Sequence, residues 1–239
     1  METETGKTSI PPPHRLVGVF FSPGRVFRSL YANPSFLLPL VIAVLVSMIA
    51  IYFLSPINAK FTVEQARQQN PNISEEQIMQ IRETMSGPFI LIFSLGGVLI
   101  GTPVSLLLLT FVFRTLFQML IGGQTTFRQA FGVVSYSNLV MLLGFLLSIP
   151  LILVQERPDV SLNLGLLVPF LEEQSPLYRL LRNIDVITGW WMIVLSIGFS
   201  VLYQVSTTRA AKIFISLWVF WILFKTTVGT LLGPIIPGL

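Results

Sequence analysis

Residues 35–54 carry no charged side chain, and the chain repeats that condition over 88–113, 130–154, 186–205 and 213–232, the last broken only by Lys225. About 20 apolar residues, each rising ~1.5 Å along a helix, match the hydrocarbon core of a bilayer. In hydrocarbon every backbone N–H and C=O must bond within the protein, which leaves helices or closed barrels. The runs are continuous rather than alternating, so the expectation is helices. Composition agrees: 53% of the 239 residues are hydrophobic, 11% are charged, and mean hydropathy is +0.76. A soluble domain carries about 25% charged residues. The fold class is therefore read as all-α, a polytopic transmembrane bundle of five helices with interfacial amphipathic helices.

Local signals mark the ends. Pro34 and Pro88 sit at helix starts, where a missing N–H costs nothing. Thr126 and Gln129 form a capping box before the third span. Gly122-Gly123 ends the helix that carries the second span on to Ile121. Pro103 should kink that helix, and Pro150 should bend the end of the third. Residues 1–13 read as a disordered leader, 14–34 as an interfacial helical segment and 35–239 as the transmembrane domain. No basic-then-apolar signal layout opens the chain, so no removable signal peptide is expected.

Charge sets the expected orientation. With the amino terminus inside, the inner segments hold Lys7, Arg15, Arg25, Arg28, Arg114, Arg128, Arg209 and Lys212. The outer segments hold Lys60, Arg67, Arg82, Arg157, Arg179 and Arg182. The inner connections are short and their charges flank the spans, which is where the positive-inside bias acts. The expectation is a cytoplasmic amino terminus and an external carboxyl terminus, in a bacterial inner membrane. A pI near 9.7 then speaks for anionic headgroups, not nucleic acid. Within "SPGRVFRSLYANP", Val26, Phe27, Leu30 and Tyr31 share a helical face and Arg25 and Arg28 turn away. This is the pattern of an interfacial helix. It reads either as an anchor or as a docking surface for a cytoplasmic partner, with Arg25, Phe27, Arg28 and Arg128 as candidate contacts to lipid or partner.

Two outer loops follow from the spans, 55–87 and 155–185. The first has a capping box at Ser74 and Gln77 and a short amphipathic helix with Ile78, Ile81 and Met85 at helical spacing. The second places Leu164, Leu167, Val168 and Leu171 on one face. Asn72-Ile73-Ser74 is a glycosylation sequon, relevant only in a eukaryotic lumen.

Polar residues gather within the spans. Counting equal lengths from helix pivots near Ile121 and Thr208 brings Thr102, Ser105, Tyr136, Ser137, Asn138, Lys225 and Thr226 to one depth. A bare charge at mid-span costs about 2.5–3.5 kcal/mol on insertion scales, so Lys225 must snorkel or find acceptors. The layer reads either as interhelical glue, at about 0.6 kcal/mol a bond, or as the lining of a polar cavity. Gly97 and Gly101, in GVLIG, form a small-residue face suited to the first purpose. Acids are absent from every span core, which counts against proton- or cation-coupled transport.

The interfacial "FFSPGRVFRSLYANPSFLLPL" and the segment "GGQTTFRQAFGVVSYS", with Gly122-Gly123, Phe127, Arg128 and Tyr136, resemble bacterial Yip-domain proteins over residues 16–232. The chain departs from the family where Asn138-Leu139-Val140 stands in place of a proline that often follows the tyrosine. The resemblance implies five spans, a cytoplasmic amino terminus and a role in membrane organisation. Eukaryotic relatives are implicated in Rab GTPase interaction, vesicle traffic and membrane shaping. The leader here lacks the acidic character such a partner would want.

Catalytic constellations do not assemble. There is no cysteine, and the one histidine, His14, directly follows the proline run that ends the leader. No Gly-Lys-Ser/Thr phosphate loop or paired intramembrane carboxylates occur. No enzymatic activity, cofactor or metal is expected. The leading reading is a non-catalytic integral membrane protein that binds lipids or partner proteins and organises membrane. The alternative is a small permease, channel or lipid-transfer component built on the polar layer around Lys225 and Asn138. Oligomeric state is not readable from the sequence.

Overall fold

A computed structural model describes residues 10–160, 162–168, 170–171, 175, 177–178, 181 and 184–232, with side chains described as far as 224. The described residues are helical apart from short connections. Two short helices, α1 (Pro12–Phe21) and α2 (Pro23–Ala32), precede α3 (Leu37–Gln69). Next come α4 (Glu75–Ser86), α5 (Pro88–Ile121) and α6 (Phe127–Gln155). After a single 3-10 turn at Leu164–Leu167 come α7 (Val186–Tyr203) and α8 (Thr207–Leu232). Helices α3, α5, α6, α7 and α8 are each long and apolar enough to cross a membrane. Large side chains such as Phe53, Phe93, Leu108 and Phe111 lie exposed along them. In water such continuous apolar surface would drive association, whereas hydrocarbon accepts it.

Local chemistry sets the boundaries. Thr126 accepts the Gln129 backbone N–H, and the Gln129 side chain reaches back to the Thr126 N–H. Ser74 and Gln77 do the same for α4. Helix α5 stops where Gly122 and Gly123 both take positive φ, 80° and 85°, a region glycine enters without a Cβ penalty. One boundary differs from the sequence expectation. Pro56 lies inside α3, which continues through the expected loop to Gln69. The added turns bury Ala59 and Val63 and pack against α4. The second expected loop is pinned at its base, where the Leu164 N–H donates to the Ile184 carbonyl and the Val186 N–H to the Leu162 carbonyl. Of its proposed apolar face, Leu164, Val168 and Leu171 are half-buried, and the Leu167 side chain lies outside the described residues, as does much of 169–183.

The core is concentrated toward the pole that carries α1 and α2. Phe113 and Phe117 of α5, Phe199 and Tyr203 of α7 and Phe214 of α8 form a ring cluster with centroids 4.7–6.2 Å apart. Such pairs add about 0.5–1.5 kcal/mol each beyond area burial. Antiparallel α6 and α7 meet most closely at two glycines. A Cβ at Gly198 would collide with Val133 and press on the Phe27 ring, and one at Gly144 would collide with Ile187. Gly97 and Gly101, expected to form a helix-packing face, have no neighbour within 4 Å of an added Cβ. Their face of α5 is open, so the close packing falls on α6 and α7 instead.

This distinction is measurable. Gly198→Ala should destabilise the bundle by about 1–3 kcal/mol through overpacking, read as a lower melting temperature in detergent. Gly97→Ala and Gly101→Ala should leave that temperature unchanged.

Candidate functional site

The amino-terminal pole assembles from four separate stretches of chain. Proline opens both α1 and α2, and α2 starts at Pro23, with only Ser22 between it and the end of α1. Val19, Val26, Phe27 and Leu30 turn inward, and α2 packs against α7 and α6. Arg25 and Arg28 face outward, as the periodicity requires, and Val17 and Phe21 of α1 lie exposed beside them. Two sequence expectations change here. Phe27, a candidate contact to lipid or partner, is fully enclosed because its ring rests against Gly198. Residues 12–13, assigned to a disordered leader, belong to α1, and the Ile10 N–H donates to the Ser29 hydroxyl at 3.1 Å.

Arg15 is the unexpected member. One helical turn from Val19 on the same face, it is only 4% exposed. Its Nε donates to the Ile10 carbonyl at 2.7 Å, and its Nη1 donates to the Asn33 carbonyl and the Ser35 hydroxyl at 3.1 and 2.9 Å. All three acceptors are neutral. The guanidinium thus gathers the start of α1 and the 33–35 connection at α6, where Gly132 meets the Ser35 carbonyl. The Gln129 side-chain amide ties the same turn of α6 to the Tyr31 carbonyl at 2.9 Å. Arg128 stands beside this junction, exposed and with no hydrogen bond or ion pair to the described residues.

Two adjoining pockets share Arg128. One is bounded by Pro12, Arg15, Asn33, Pro34 and Ser35. The other is an apolar groove between α3, α5 and α6, walled by Phe36, Leu40, Pro103, Leu107, Phe127 and Phe131. Phe36 and Phe131 pack with ring centroids 4.7 Å apart at its near end. Both pockets are shallow, open depressions rather than enclosed cavities, of about 360 and 510 Å³.

A second latch closes the same pole. Thr125 Oγ1 donates to Tyr203 Oη at 3.1 Å, Tyr203 Oη donates to the Arg114 carbonyl at 3.0 Å, and Arg114 Nε donates to the Thr125 carbonyl at 3.0 Å. The ring of bonds joins the ends of α5 and α7 to the Gly-Gly turn.

The expected polar layer is not a single hydrogen-bonded unit among the described residues. Ser105 is exposed and donates to the Thr102 carbonyl of its own helix at 2.9 Å, and Thr102 is half-buried. Tyr136 and Ser137 are fully enclosed, and their hydroxyls, with that of Ser135 and the Trp191 indole N–H, find no partner among the described residues. Asn138 is half-buried. The side chains of Lys225 and Thr226 lie outside the described residues.

Sequence reasoning passed over Arg15, Asn33, Ser35, Thr125 and Tyr203. Arg15 was legible in part, because an arginine four positions before Val19 in "RLVGVFF" shares its inward face. The Tyr203 latch depends on contacts far apart in sequence and leaves no local pattern.

Chemically, the pole offers positive charge and hydrogen-bond donors, with no carboxylate among the described residues. Among the described residues, every Asp and Glu lies toward the opposite pole, as with Glu64, Glu156 and Asp185. No group of His, Cys, Asp or Glu among them is arranged to hold a metal ion. Removing the latch hydroxyl with Tyr203→Phe leaves Thr125 and the Arg114 carbonyl short of a partner. The expected cost is about 1–3 kcal/mol, measured by thermal unfolding in detergent.

No curated protein and no solved structure matches the chain. The Yip1 domain model matches residues 17–228, from within α1 deep into α8. That span takes in the second half of α1, all of α2 and the five membrane-length helices up to residue 228, and membership points to a non-enzymatic role in the membrane. The chain belongs to the Yip1 domain family.

Proposed function

We propose that this Yip1-domain protein organises membrane by holding anionic lipid, or a partner protein, at its amino-terminal pole, with that pole on the cytoplasmic side of a bacterial inner membrane. The observation that carries this reading is charge without compensation. Arg15, Arg25, Arg28, Arg114, Arg128, Arg209 and Lys212 stand at this pole with no carboxylate among the described residues. Exposed Val17 and Phe21 lie beside Arg25 and Arg28, which suits an apolar surface set into the headgroup layer. The arrangement supports lipid capture through phosphates and needs no chemical step.

The second reading, a permease or lipid-transfer component, draws on the unpaired enclosed hydroxyls of Ser135, Tyr136 and Ser137. Buried polar groups without partners favour a site that accepts something polar. The exposure of Ser105, bonded to its own helix, favours the first reading.

Reconstituted wild-type protein should concentrate phosphatidylglycerol around itself, read by self-quenching of a labelled lipid. Arg25→Gln with Arg28→Gln should weaken that enrichment by about 1 kcal/mol for each charge removed. Solute flux through the wild type, lost in Asn138→Leu and Lys225→Met with assembly intact, would move the assignment to transport.

A further inference from the structure

We infer that Arg15 and Arg128 form the phosphate seat of a specific phospholipid site, with one acyl chain of the lipid lying in the groove between α3, α5 and α6. The inference deepens the lipid-binding reading above and rests on it.

The first support is the state of Arg15. A guanidinium presents five N–H donors and stays charged under all ordinary conditions. Burying such a charge is costly unless an opposite charge and hydrogen bonds compensate it. Arg15 is 4% exposed and donates from Nε and Nη1 to neutral oxygens. Its Nη2 makes no hydrogen bond to the described residues, and Arg15 forms no ion pair with them. The first pocket opens against this side chain, with Arg128 lining the same space. Two guanidiniums converging on one pocket with Asn33 and Ser35 select an anion with several acceptor oxygens, which is the chemistry of a phosphate.

The second support is independent of charge. Arg128 also borders the apolar groove, so one arginine joins an anion pocket to a hydrocarbon-lined channel. From the 33–35 connection α3 enters the membrane-spanning region, and Phe36 and Leu40 line the groove as it does so. On the other wall, α6 leads inward from Phe127 to Phe131, while Leu107 and Pro103 belong to the interior of α5. A free phosphate would fill only the first pocket. A molecule with an anionic head and an apolar tail fills both, and its head-to-tail direction matches the passage from helix ends to helix interiors. The exposed cations of the pole, Arg25 and Arg28, disfavour a headgroup bearing its own ammonium, so the ligand class is an anionic glycerophospholipid.

The test uses the full chain in phosphatidylcholine vesicles containing a trace of phosphatidylglycerol with a photoactivatable acyl chain. Adducts are located by peptide mass spectrometry. The expected result is labelling concentrated on peptides holding Phe36, Leu40 or Leu107. It should fall about tenfold in Arg128→Gln, as loss of a charge-assisted bond implies. It should also fall in Leu107→Trp, which fills the groove from an exposed position, and it should persist against millimolar inorganic phosphate. Equal labelling by a phosphatidylcholine probe, or displacement by inorganic phosphate, would overturn the site. Preferential labelling confined to the Arg25 and Arg28 peptides would overturn it while leaving the wider lipid reading standing. No preference for the anionic probe on any peptide would overturn both. Wild-type localisation decides the matter even if a variant fails to assemble.

Discussion

The Phe27 ring rests on Gly198, at the place where α6 and α7 approach most closely. Without a side chain at Gly198, Val133 of α6 and Phe27 of α2 both reach the backbone of α7. In a membrane, where apolar burial gives little drive for helix association, such close contact supplies much of the attraction. Its consequence is to make α2 a component of the bundle. Once α2 is seated, the 33–35 connection crosses α6 at Gly132, and Arg15 is drawn in against Asn33 and Ser35. The geometry of the pole thus descends from one steric allowance.

The distribution of charge then gives the molecule its polarity. At the pole opposite α1 and α2, acids and bases pair: Lys60 with Glu156 at 2.8 Å, Arg67 with Glu75 at 3.1 Å and Arg157 with Asp159 at 3.0 Å. These pairs are largely exposed and contribute little stability. At the amino-terminal pole no such pairing occurs among the described residues, so its field extends outward to whatever anions lie nearby. The proposed lipid site gives that diffuse attraction a definite geometry, in the groove and the buried arginine. This is the physical basis for reading the pole as a surface that gathers lipid, and it requires neither a cofactor nor a moving part.

Much of the architecture was legible in the residues because hydrocarbon imposes a length and forbids free backbone groups. The five runs, the Thr126–Gln129 and Ser74–Gln77 caps and the Gly122-Gly123 stop are all local features, and each stands in the structure where the chain signals it. Features that depend on a partner were not legible. An amphipathic helix looks the same whether it faces lipid or a groove between helices, so the burial of Phe27 was hidden. The apolar run stops at Leu54, but burial of Ala59 and Val63 against neighbouring helices carries α3 through Pro56 to Gln69. The GVLIG spacing advertised a packing face that remains open, whereas Gly144 and Gly198, alone in their helix turns, make the contacts. Of the pole's candidate groups, Arg128 was visible beside its capping box, while Arg15 required knowing which way α1 faces.

The central claim is that the amino-terminal helices are built into the membrane bundle and do not merely rest on its lipid. The chain has no cysteine, so a Gly24→Cys/Ile197→Cys pair can be oxidised without competition. A Cβ at Gly24 lies 3.7 Å from the Ile197 side chain. Mild oxidation of native membranes should join α2 to α7 rapidly and almost completely within each molecule. Failure of the pair to cross-link, with both thiols still reactive to a maleimide, would contradict the account.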